Sequence, residues 1–468
     1  MPNLVLPPRR GLLLASVLGL SAACSRARVE EDELVPPEVV AMPAAFSPAG
    51  ERALPDAWWQ EFGDQELNAL VEQAIEGNFD LAVAWQRLDA ARALIDREAA
   101  VFTPELDLEA DFESRRPGGG DGESFGLGLA AFYEVDLWGR FDSLVAAQQY
   151  RARASLADYR AGALSLSAEV TRTWYRLLEA RAQRSLLTEQ IETNEKVLQL
   201  IQARVGIGQV RGVDILRQRQ LIESTRARRI DAETRVEVLE HLLAVLLGQA
   251  PQEGIEVEAA ELPTLPQLPP LPATGIPAEL VRRRPDLEAA YLELQAADAE
   301  VAAAVSARYP RLSLSASLST TDQGADEIFE DWLRRLAANL VLPLIDGELR
   351  DAEISRNQAI AGQRLYEYGQ ATLLSFQEVE DALVLERKQR ERIASLEEQQ
   401  RLAERTYDQL RSEYFNGLAD YIDVLTTLTD LQETRRDLVS ARLALVEARI
   451  ALYRALAGGF PTFRERES

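Results

Sequence analysis

Two short stretches of the chain alternate between polar and apolar residues. Between Glu105 and Glu113 every second residue is acidic, and the residues between the acids are apolar. The acidic positions are Glu105, Asp107, Glu109, Asp111 and Glu113. From Leu312 to Leu318 apolar residues alternate with serine. A period of two residues predicts strands with one polar and one apolar face, and we expect strand hairpins at about residues 104–137 and 310–344.

Much of the remaining sequence has apolar residues at three- and four-residue spacing. In the last such stretch, a coiled-coil seam is indicated by a seven-residue repeat at Val424, Leu431, Leu438, Leu445 and Leu452. This periodicity predicts long helical hairpins at about residues 141–247 and 348–456. The first helix of each hairpin has about 65 residues and would reach about 100 Å at 1.5 Å per residue.

The same elements occur twice in the same order, as a helix, a strand hairpin and a long helical hairpin. Gly208 in the first half corresponds to Gly417 in the second, and Asp214 corresponds to Asp423. The repeats cover residues 66–250 and 278–457, with a Pro-rich linker at 251–277 and a C-terminal tail at 458–468. The sequence therefore predicts a mainly α-helical fold with a small β part and an internal two-fold repeat.

The chain begins with a pattern typical of an export signal. Arg9 and Arg10 precede an apolar run, Gly11 to Leu20, that is too short to span a bilayer. The residues that end at Cys24 resemble a bacterial lipobox, which implies a lipidated cysteine at the mature N-terminus. Ser21 stands where that motif usually has a branched apolar residue, so ordinary signal cleavage remains an alternative. We expect a signal peptide at 1–23 and a lipid-anchored extended segment at 24–65.

Composition excludes several classes of function. A formal net charge of −25 argues against a nucleic-acid partner, because phosphate binding requires a basic surface. With a single histidine, His241, and a single cysteine, the chain cannot build a His/Cys metal cluster or an internal disulfide. We therefore predict that the protein is not an enzyme and has no metal site and no cofactor.

The predicted strands are long enough to cross the hydrocarbon layer of a membrane when tilted. Their apolar faces would meet lipid, and the acidic face of the first strand would line a barrel lumen. Four strands cannot close a barrel alone, so the hypothesis requires several copies of the chain. The alternatives are a solvated acidic face without a role in selectivity, and a soluble periplasmic coiled-coil scaffold.

Several short motifs resemble those of the TolC-like outer membrane factor lipoproteins. They lie at Trp58–Asp64, Gly77–Leu81, Asp136–Arg140 and Arg282–Leu287. The resemblance implies a homotrimer whose twelve-stranded barrel in the outer membrane continues as a helical tunnel through the periplasm. It further implies a periplasmic adaptor, an inner-membrane pump of the resistance-nodulation-division type, and passive export of drugs and toxic compounds. No residue distinguishes this function from the outer channel of a type I protein secretion system.

In this family the turns at the far ends of the helical hairpins form the periplasmic aperture. The resemblance therefore assigns the gate to Asp423, Asp420, Asp214, Arg204 and Tyr414, and the hairpin turns to Gly206, Gly208 and Gly417. Asp423 is the strongest candidate for the constriction. The alternative for Asp214 and Asp423 is ordinary N-capping of the returning helices.

Overall fold

The computed structural model describes residues 40–47, 50–52, 54–115, 122–206, 211–253, 265–322 and 331–467. Several predictions fall outside these ranges: the signal peptide, the lipidation site Cys24 and the turn glycine Gly208. The described part is mainly helical with four antiparallel strands, which confirms the predicted fold class and the internal repeat.

The first repeat contains four helices and two strands. Their bounds are α1 Gln65–Gly77, α2 Phe79–Ala99, β1 Glu105–Arg115, β2 Gly122–Val135, α3 Arg140–Gly206 and α4 Gly212–Leu246. The second repeat follows the same order, and a short extra helix, α9, lies in the C-terminal tail. Its elements are α5 Pro277–Arg283, α6 Pro285–Ser306, β3 Arg311–Asp322, β4 Leu333–Val341, α7 Leu349–Phe415, α8 Tyr421–Leu456 and α9 Phe463–Glu467.

Two details differ from the sequence-based expectation. The predicted extended segment at 24–65 contains a 3-10 helix, Trp58–Phe62, because its aromatic side chains turn together into the core. The second strand hairpin was expected to end at about residue 344, whereas its last strand, β4, ends at Val341. Pro343 has no N–H group, so the sheet's hydrogen bonding cannot continue through it.

Each long helix is lined by two shorter ones. Helices α3 and α7 have 67 residues each, about 100 Å at 1.5 Å per residue. Helices α2 and α4 both pack on α3, and α6 and α8 both pack on α7. Helix α6 also packs on α3, and α8 contacts α3, so these contacts join the two repeats side by side.

The two shorter helices of the first repeat meet end to end at a joint where two glycines let the backbones approach closely. A Cβ at Gly77 would lie 2.7 Å from the Leu247 carbonyl oxygen, and one at Gly248 would lie 2.3 Å from the Gly77 oxygen. Asn78 bonds to both helices there. Its Oδ1 accepts from Leu81 N at 3.1 Å, which caps α2, and its Nδ2 donates to Leu246 O at 3.0 Å.

An aromatic cluster holds the N-terminal segment against the long helices. Phe62 lies 5.2 Å from Tyr175 of α3 and 5.7 Å from Tyr453 of α8, measured between ring centroids. Trp58 is fully buried and lies 5.9 Å from the same Tyr453. Trp174 donates its indole N–H to Asp64 at 2.8 Å, and Asp64 also caps α1. We call this region the waist core.

A buried ion pair connects the waist core to the Pro-rich linker. Arg449 of α8 and Glu386 of α7 have side chains 0% and 1% exposed, with Nη2 and Oε1 2.6 Å apart. Arg449 also donates to the carbonyl oxygen of Pro269 at 2.8 Å. Burial disfavours the Glu386 carboxylate, but the hydrogen bonds and charge of Arg449 outweigh burial and hold the pKa of Glu386 below its usual range.

The four strands form one antiparallel sheet in the order β1-β2-β3-β4. Residues paired across neighbouring strands lie on the same face. One row, on the polar face, consists of Asp107, Ala130, Ser317 and Arg335. The next row, on the opposite face, consists of Leu106, Ala131, Ala316 and Leu336. Strands β1 and β4 are the two edges of this sheet.

The junction between the sheet and the first long helix uses the Asp136–Arg140 motif. The Asp136 carboxylate accepts hydrogen bonds from Arg140 N at 2.8 Å, Phe141 N at 3.0 Å and Asp142 N at 2.9 Å. These are N–H groups at the start of α3 that have no partner within the helix. Gly139 has φ +72° at the turn. These bonds fix where the strand ends and the helix begins.

Among the described residues, no helix combines the length and the apolar character that crossing a membrane would require.

We expect Glu386→Ala to destabilise the fold by about 3–5 kcal/mol, because it leaves the buried Arg449 charge unpaired. Thermal unfolding followed by circular dichroism at 222 nm measures the loss. Glu391→Ala is the matched control, since Glu391 pairs with Lys388 at the exposed surface of the same helix. Because the folded pKa of Glu386 is depressed, its contribution is present above the unfolded pKa and lost as pH falls through the folded one. Equal unfolding temperatures for the two variants would contradict this prediction.

Candidate functional site

The turn between α7 and α8 has the hydrogen bonding of a Schellman motif. Leu418 N donates to Glu413 O at 2.8 Å, and Gly417 N donates to Tyr414 O at 3.1 Å. Gly417 has φ +72°, a left-handed conformation that glycine adopts without steric cost. In the first repeat Gly206 is the last residue of α3, and residues 207–210 of the equivalent turn lie outside the described ranges.

Arg204 joins the two hairpins at their tips. Its Nη1 donates to Tyr414 O at 3.0 Å and its Nη2 donates to Phe415 O at 2.8 Å, so it caps the C-terminal end of α7 from α3. The guanidinium carbon lies 4.9 Å and 5.2 Å from the ring centroids of the same two residues. A cation at a helix C-terminus is favoured by the helix dipole and by the unsatisfied carbonyl groups there.

A small apolar core, separate from the waist core, lies directly behind Arg204. Ile201 of α3, Tyr414 of α7, and Tyr421 and Val424 of α8 are buried together. The Tyr421 hydroxyl donates to Gln218 Oε1 of α4 at 2.5 Å, which is a second link between the hairpins. Burial and the nearby Asp214 carboxylate raise the pKa of Tyr421, so its hydroxyl remains a donor. We call this region the tip core.

The acidic residues near the tips are in two different environments. Asp214 is 3% exposed, and its Oδ1 lies 3.4 Å from Arg217 Nη1. Asp423 and Asp420 are exposed. Asp423 and Asp420 are therefore the acids that a single chain leaves free to face an aperture, whereas Asp214 is enclosed within the chain.

The N-capping alternative for Asp214 and Asp423 is wrong. The N-cap residues of α4 and α8 are Arg211 and Asp420, and neither makes a side-chain cap hydrogen bond. Asp214 and Asp423 are the third residues of their helices, where a carboxylate is favoured by the helix dipole.

The acidic side chains of β1 are exposed on one face of the sheet. They are Glu105, Asp107, Glu109, Asp111 and Glu113. Small residues of β2 lie beside them: a Cβ at Gly126 would lie 2.2 Å from Asp111 Oδ1, and Gly128 pairs with Glu109. The serines of β3 continue the polar face. Apart from Phe132, which pairs with Glu105, the residues of β2 and β3 in the same rows as these acids are small or carry a hydroxyl group.

Sequence reasoning missed two residues that hold the tips together. These residues are Gln218 of α4 and Tyr421 of α8. Both side chains are buried, and the Tyr421 hydroxyl donates to the Gln218 amide oxygen between the two hairpins. The available signal was a glutamine at a core position of a helical repeat. Among the described residues, no three His, Cys, Asp or Glu side chains converge in a way that could hold a metal ion.

Comparison with known proteins identifies the family. The family model "Outer membrane efflux protein" matches residues 70–249 and 276–458. The chain therefore belongs to the outer membrane efflux protein family, which confirms the resemblance to TolC-like outer membrane factors. It is an outer-membrane channel of an efflux system and not an enzyme, and the soluble-scaffold alternative is wrong.

Individual relatives agree in sequence and in fold. Over 340 residues the chain is 32% identical to the pyoverdine export outer membrane protein OpmQ of Pseudomonas aeruginosa, covering 70% of this chain and 71% of that protein. The solved outer-membrane channel OprN matches with a TM-score of 0.81 at 29% identity, covering 91% of this chain and 99% of that one. The open-state MtrE channel of Neisseria gonorrhoeae matches with a TM-score of 0.80 at 26% identity, covering 91% and 96%.

We expect Arg204→Ala to weaken the tip locally by about 1–3 kcal/mol, because two charge-assisted hydrogen bonds to helix-terminal carbonyls are lost. Faster amide hydrogen exchange in the last turn of α7 and the first turn of α8 measures the effect. Arg411→Ala is the matched control, since Arg411 contacts the Phe415 ring at 5.9 Å and makes no backbone hydrogen bond in the described structure. Equal exchange rates in the two variants would count against Arg204 as a tip link.

Proposed function

We propose that the chain is one subunit of a trimeric, passive duct in the outer membrane. Small molecules enter it from a periplasmic adaptor and an inner-membrane pump, which supply the driving force. The observation that carries the proposal is the four-stranded sheet with two edges, an apolar face and an acidic face. OpmQ, whose name specifies pyoverdine export, favours a small organic cargo over a secreted protein.

The edges of the sheet support assembly of several copies. Edge backbone groups in lipid have no water to bond with, so a strand from another copy must satisfy them. Three copies of the four-stranded sheet give a closed set of twelve strands.

The charges on the two edge strands are complementary. Arg335 of β4 lies on the same face as the acids of β1, in the row that contains Asp107. Five successive same-face positions of β1 are acidic, from Glu105 to Glu113. Suppose that β4 pairs with β1 of a second copy and that the polar faces of the two strands lie on the same side. Whatever the register, Arg335 then lies opposite one of these carboxylates, as long as it pairs within residues 105–113 of β1. The pairing offsets part of the acidic charge inside the duct.

Exposed apolar residues on the helices support the same assembly. Ile230, Val238 and Val245 are exposed on α4, and Tyr366 and Leu373 are exposed on α7. Their spacing of seven or eight residues places them along one face of each helix, and exposed apolar residues on one face favour an interaction site. Neighbouring copies of the chain would cover these positions.

Chain length is compatible with a lipid anchor at Cys24. Ser47 is fixed to α7, because its N and Oγ donate to the Glu380 carboxylate at 2.8 Å and 2.6 Å. Glu380 lies 31 residues from Leu349 at the membrane-proximal end of α7 (380 − 349), about 47 Å along the helix. The 23 residues between Cys24 and Ser47 (47 − 24) can span up to about 75 Å. A lipid on Cys24 can therefore reach the outer membrane.

Assembly is tested with purified full-length protein in detergent and in planar bilayers. We expect a trimer by mass measurement and stepwise ionic conductance. Arg335→Glu is expected to reduce the trimer fraction, because it sets a carboxylate against the acids of the neighbouring copy, whereas Arg335→Lys retains the charge and the trimer. If Arg335→Glu still forms a conducting trimer, the charges on the edge strands do not contribute to assembly. If the wild-type protein is a non-conducting monomer, the proposal is overturned.

A second experiment tests the aperture. If Asp423 from three copies converges on the axis, the ring attracts cations and repels anions. Asp423→Asn is then expected to lower the cation preference measured by the reversal potential in a salt gradient. Asp430→Asn, an exposed position on the same helix farther from the tip, is the control. If both variants retain the wild-type preference, Asp423 is not part of the constriction.

The lipid anchor is tested by the mass of the mature protein. We expect a triacylated N-terminal cysteine at position 24, and we expect Cys24→Ala to abolish incorporation of labelled palmitate. A mature chain that begins at another residue and carries no lipid would establish ordinary signal cleavage.

A further inference from the structure

The two ends of each strand in the sheet lead to different parts of the chain. One end leads to a helix, and the other leads to the second strand of the same hairpin. We call the ends of the second kind the outer ends, and they lie at Arg115, Gly122, Asp322 and Leu333. In the proposed duct the helices extend into the periplasm, so the outer ends lie at the membrane surface that faces away from the cell.

On the apolar face of the described strands, the charged side chains lie at the outer ends. They are Glu123, Asp322 and Arg334. Glu123 and Arg334 are the second residues of β2 and β4, and Asp322 is the last residue of β3. A charge on the lipid-facing side of a strand costs most at the middle of the bilayer and little near its surfaces. The outer surface of the hydrocarbon layer therefore lies close to Arg334.

The neighbours of Arg334 within its own chain are apolar. Arg334 pairs with Leu318, which pairs in turn with Leu129, and Leu336 follows on the same face of β4. Asp322 is four residues from Leu318 (322 − 318), about 13 Å along β3. The Arg334 side chain is exposed, and within the described ranges it has no ion-pair or hydrogen-bond partner. One chain therefore leaves this guanidinium without a counter-charge.

A second copy of the chain does not supply the missing charge. In the proposed duct the free edge of β4 pairs with β1 of a neighbouring copy, with the polar faces of the two strands on the same side. The residues of β1 on the apolar face are Leu106, Leu108, Ala110, Phe112 and Ser114. All the acids of β1 lie on the opposite face. The Arg334 guanidinium therefore stays unpaired in the assembled sheet.

An unpaired guanidinium at this depth matches the phosphate group of a lipid. The long arginine side chain can keep its charged end among the headgroups while its methylene groups contact apolar surface. The planar guanidinium binds phosphate oxygen atoms through two parallel hydrogen bonds. A free phosphate ion would have to leave water for a surface lined by leucine. A lipid instead places its acyl chains on the leucines and its phosphate at Arg334.

Trp332 supports the presence of a headgroup at this place. It lies two residues before Arg334, and its side chain is 38% exposed. In the part of the chain that the structure describes, the indole N–H has no hydrogen-bond partner. Tryptophan is enriched at membrane surfaces, because its ring contacts acyl chains while its N–H bonds to polar headgroup atoms. The two side chains thus offer a cation and a hydrogen-bond donor to one headgroup.

We propose that Arg334 and Trp332 form a site on the lipid-facing side of each subunit for a phosphorylated lipid of the outer leaflet. The lipid phosphate binds the guanidinium, and the acyl chains cover Leu318 and Leu336. The proposal rests on the proposed function, because it requires the sheet to lie in a membrane. Lipids bound around the duct would hold the outer ends of the strands at a fixed depth.

Lipid binding is tested with the purified full-length trimer in a neutral detergent. Diphosphoryl lipid A is added, and native mass spectrometry counts the molecules that remain bound. We expect one per subunit, and we expect Arg334→Leu to lower the affinity by at least about tenfold, because the charge-assisted hydrogen bonds to phosphate are lost. Arg334→Lys keeps the charge but not the paired hydrogen bonds, so its affinity is expected to lie between the two. Wild-type affinity in Arg334→Leu would overturn the proposal.

Arg311→Leu is the matched control variant. Arg311 is the first residue of β3, at the end that leads to a helix, and it lies on the polar face. We expect this variant to bind lipid A as tightly as the wild type. If it weakens binding as much as Arg334→Leu does, the effect is not specific to the outer end and the proposal fails.

Two further ligands identify the group that is bound. Lipid A without its phosphate groups is expected to bind the wild type at least about tenfold more weakly than the diphosphoryl form, and equal binding of the two forms would overturn the proposal. Inorganic phosphate is expected to displace no more lipid than chloride of the same ionic strength. Greater displacement would indicate a site for free anions and would overturn the lipid assignment. These comparisons use the wild type alone, so they decide the question even if Arg334→Leu does not assemble.

Failure of the lipid site can be distinguished from failure of the duct. If the wild type is a conducting trimer that binds both forms of lipid A equally, the duct remains and the lipid site is overturned. If the wild type is a non-conducting monomer, the proposed function fails, and the lipid site fails with it.

Discussion

The architecture depends on covering the apolar positions of two helices that are far longer than the other helices of the chain. Helices α3 and α7 have 67 residues each, and helices in proteins gain most of their stability from packing against other elements. No single return helix covers that length, so two shorter helices lie along each. The point where the shorter helices meet must then be tightly closed. Asn78 bonds to both helices at this joint, and Gly77 and Gly248 allow their backbones to touch.

The waist core lies beside the N-terminal segment and the Pro-rich linker, which run across the long helices. The aromatic residues of the N-terminal segment fill the space between α3 and α8, while Arg449 bonds to the linker through Pro269 and to α7 through Glu386. At the tips, Arg204 and Tyr421 link the two hairpins through hydrogen bonds beside the tip core.

Periodicity predicted the elements well because each period has one structural meaning. The acids of β1 alternate without exception, so the strand and its polar face followed from the sequence. Seven-residue spacing predicted α8, whose observed bounds are Tyr421–Leu456. Periodicity failed where a segment is short or ends for a local reason. The 3-10 helix at Trp58 is only five residues long, and β4 ends early because of Pro343.

The candidate site was less predictable because it depends on contacts between distant parts of the chain. Asp214 and Asp423 occupy equivalent positions in the two repeats, yet one is enclosed and the other exposed. Only the packing of one hairpin against the other makes them different. The partner of Tyr421 is Gln218, more than two hundred residues away in the chain, which no local pattern can indicate.

The joint of stacked helices also limits how the length of this protein can change. In the second repeat Gly458 and Gly459 lie against Arg283 and Pro285, so both halves close their joint with glycine. Helices α2 and α4 have 21 and 35 residues, and α6 and α8 have 22 and 36. An insertion in a long helix would pull its two short companions apart unless one of them grew equally. Viable length variants of such a chain would therefore arise as matched insertions in both arms of a hairpin, and in both halves of the gene at once.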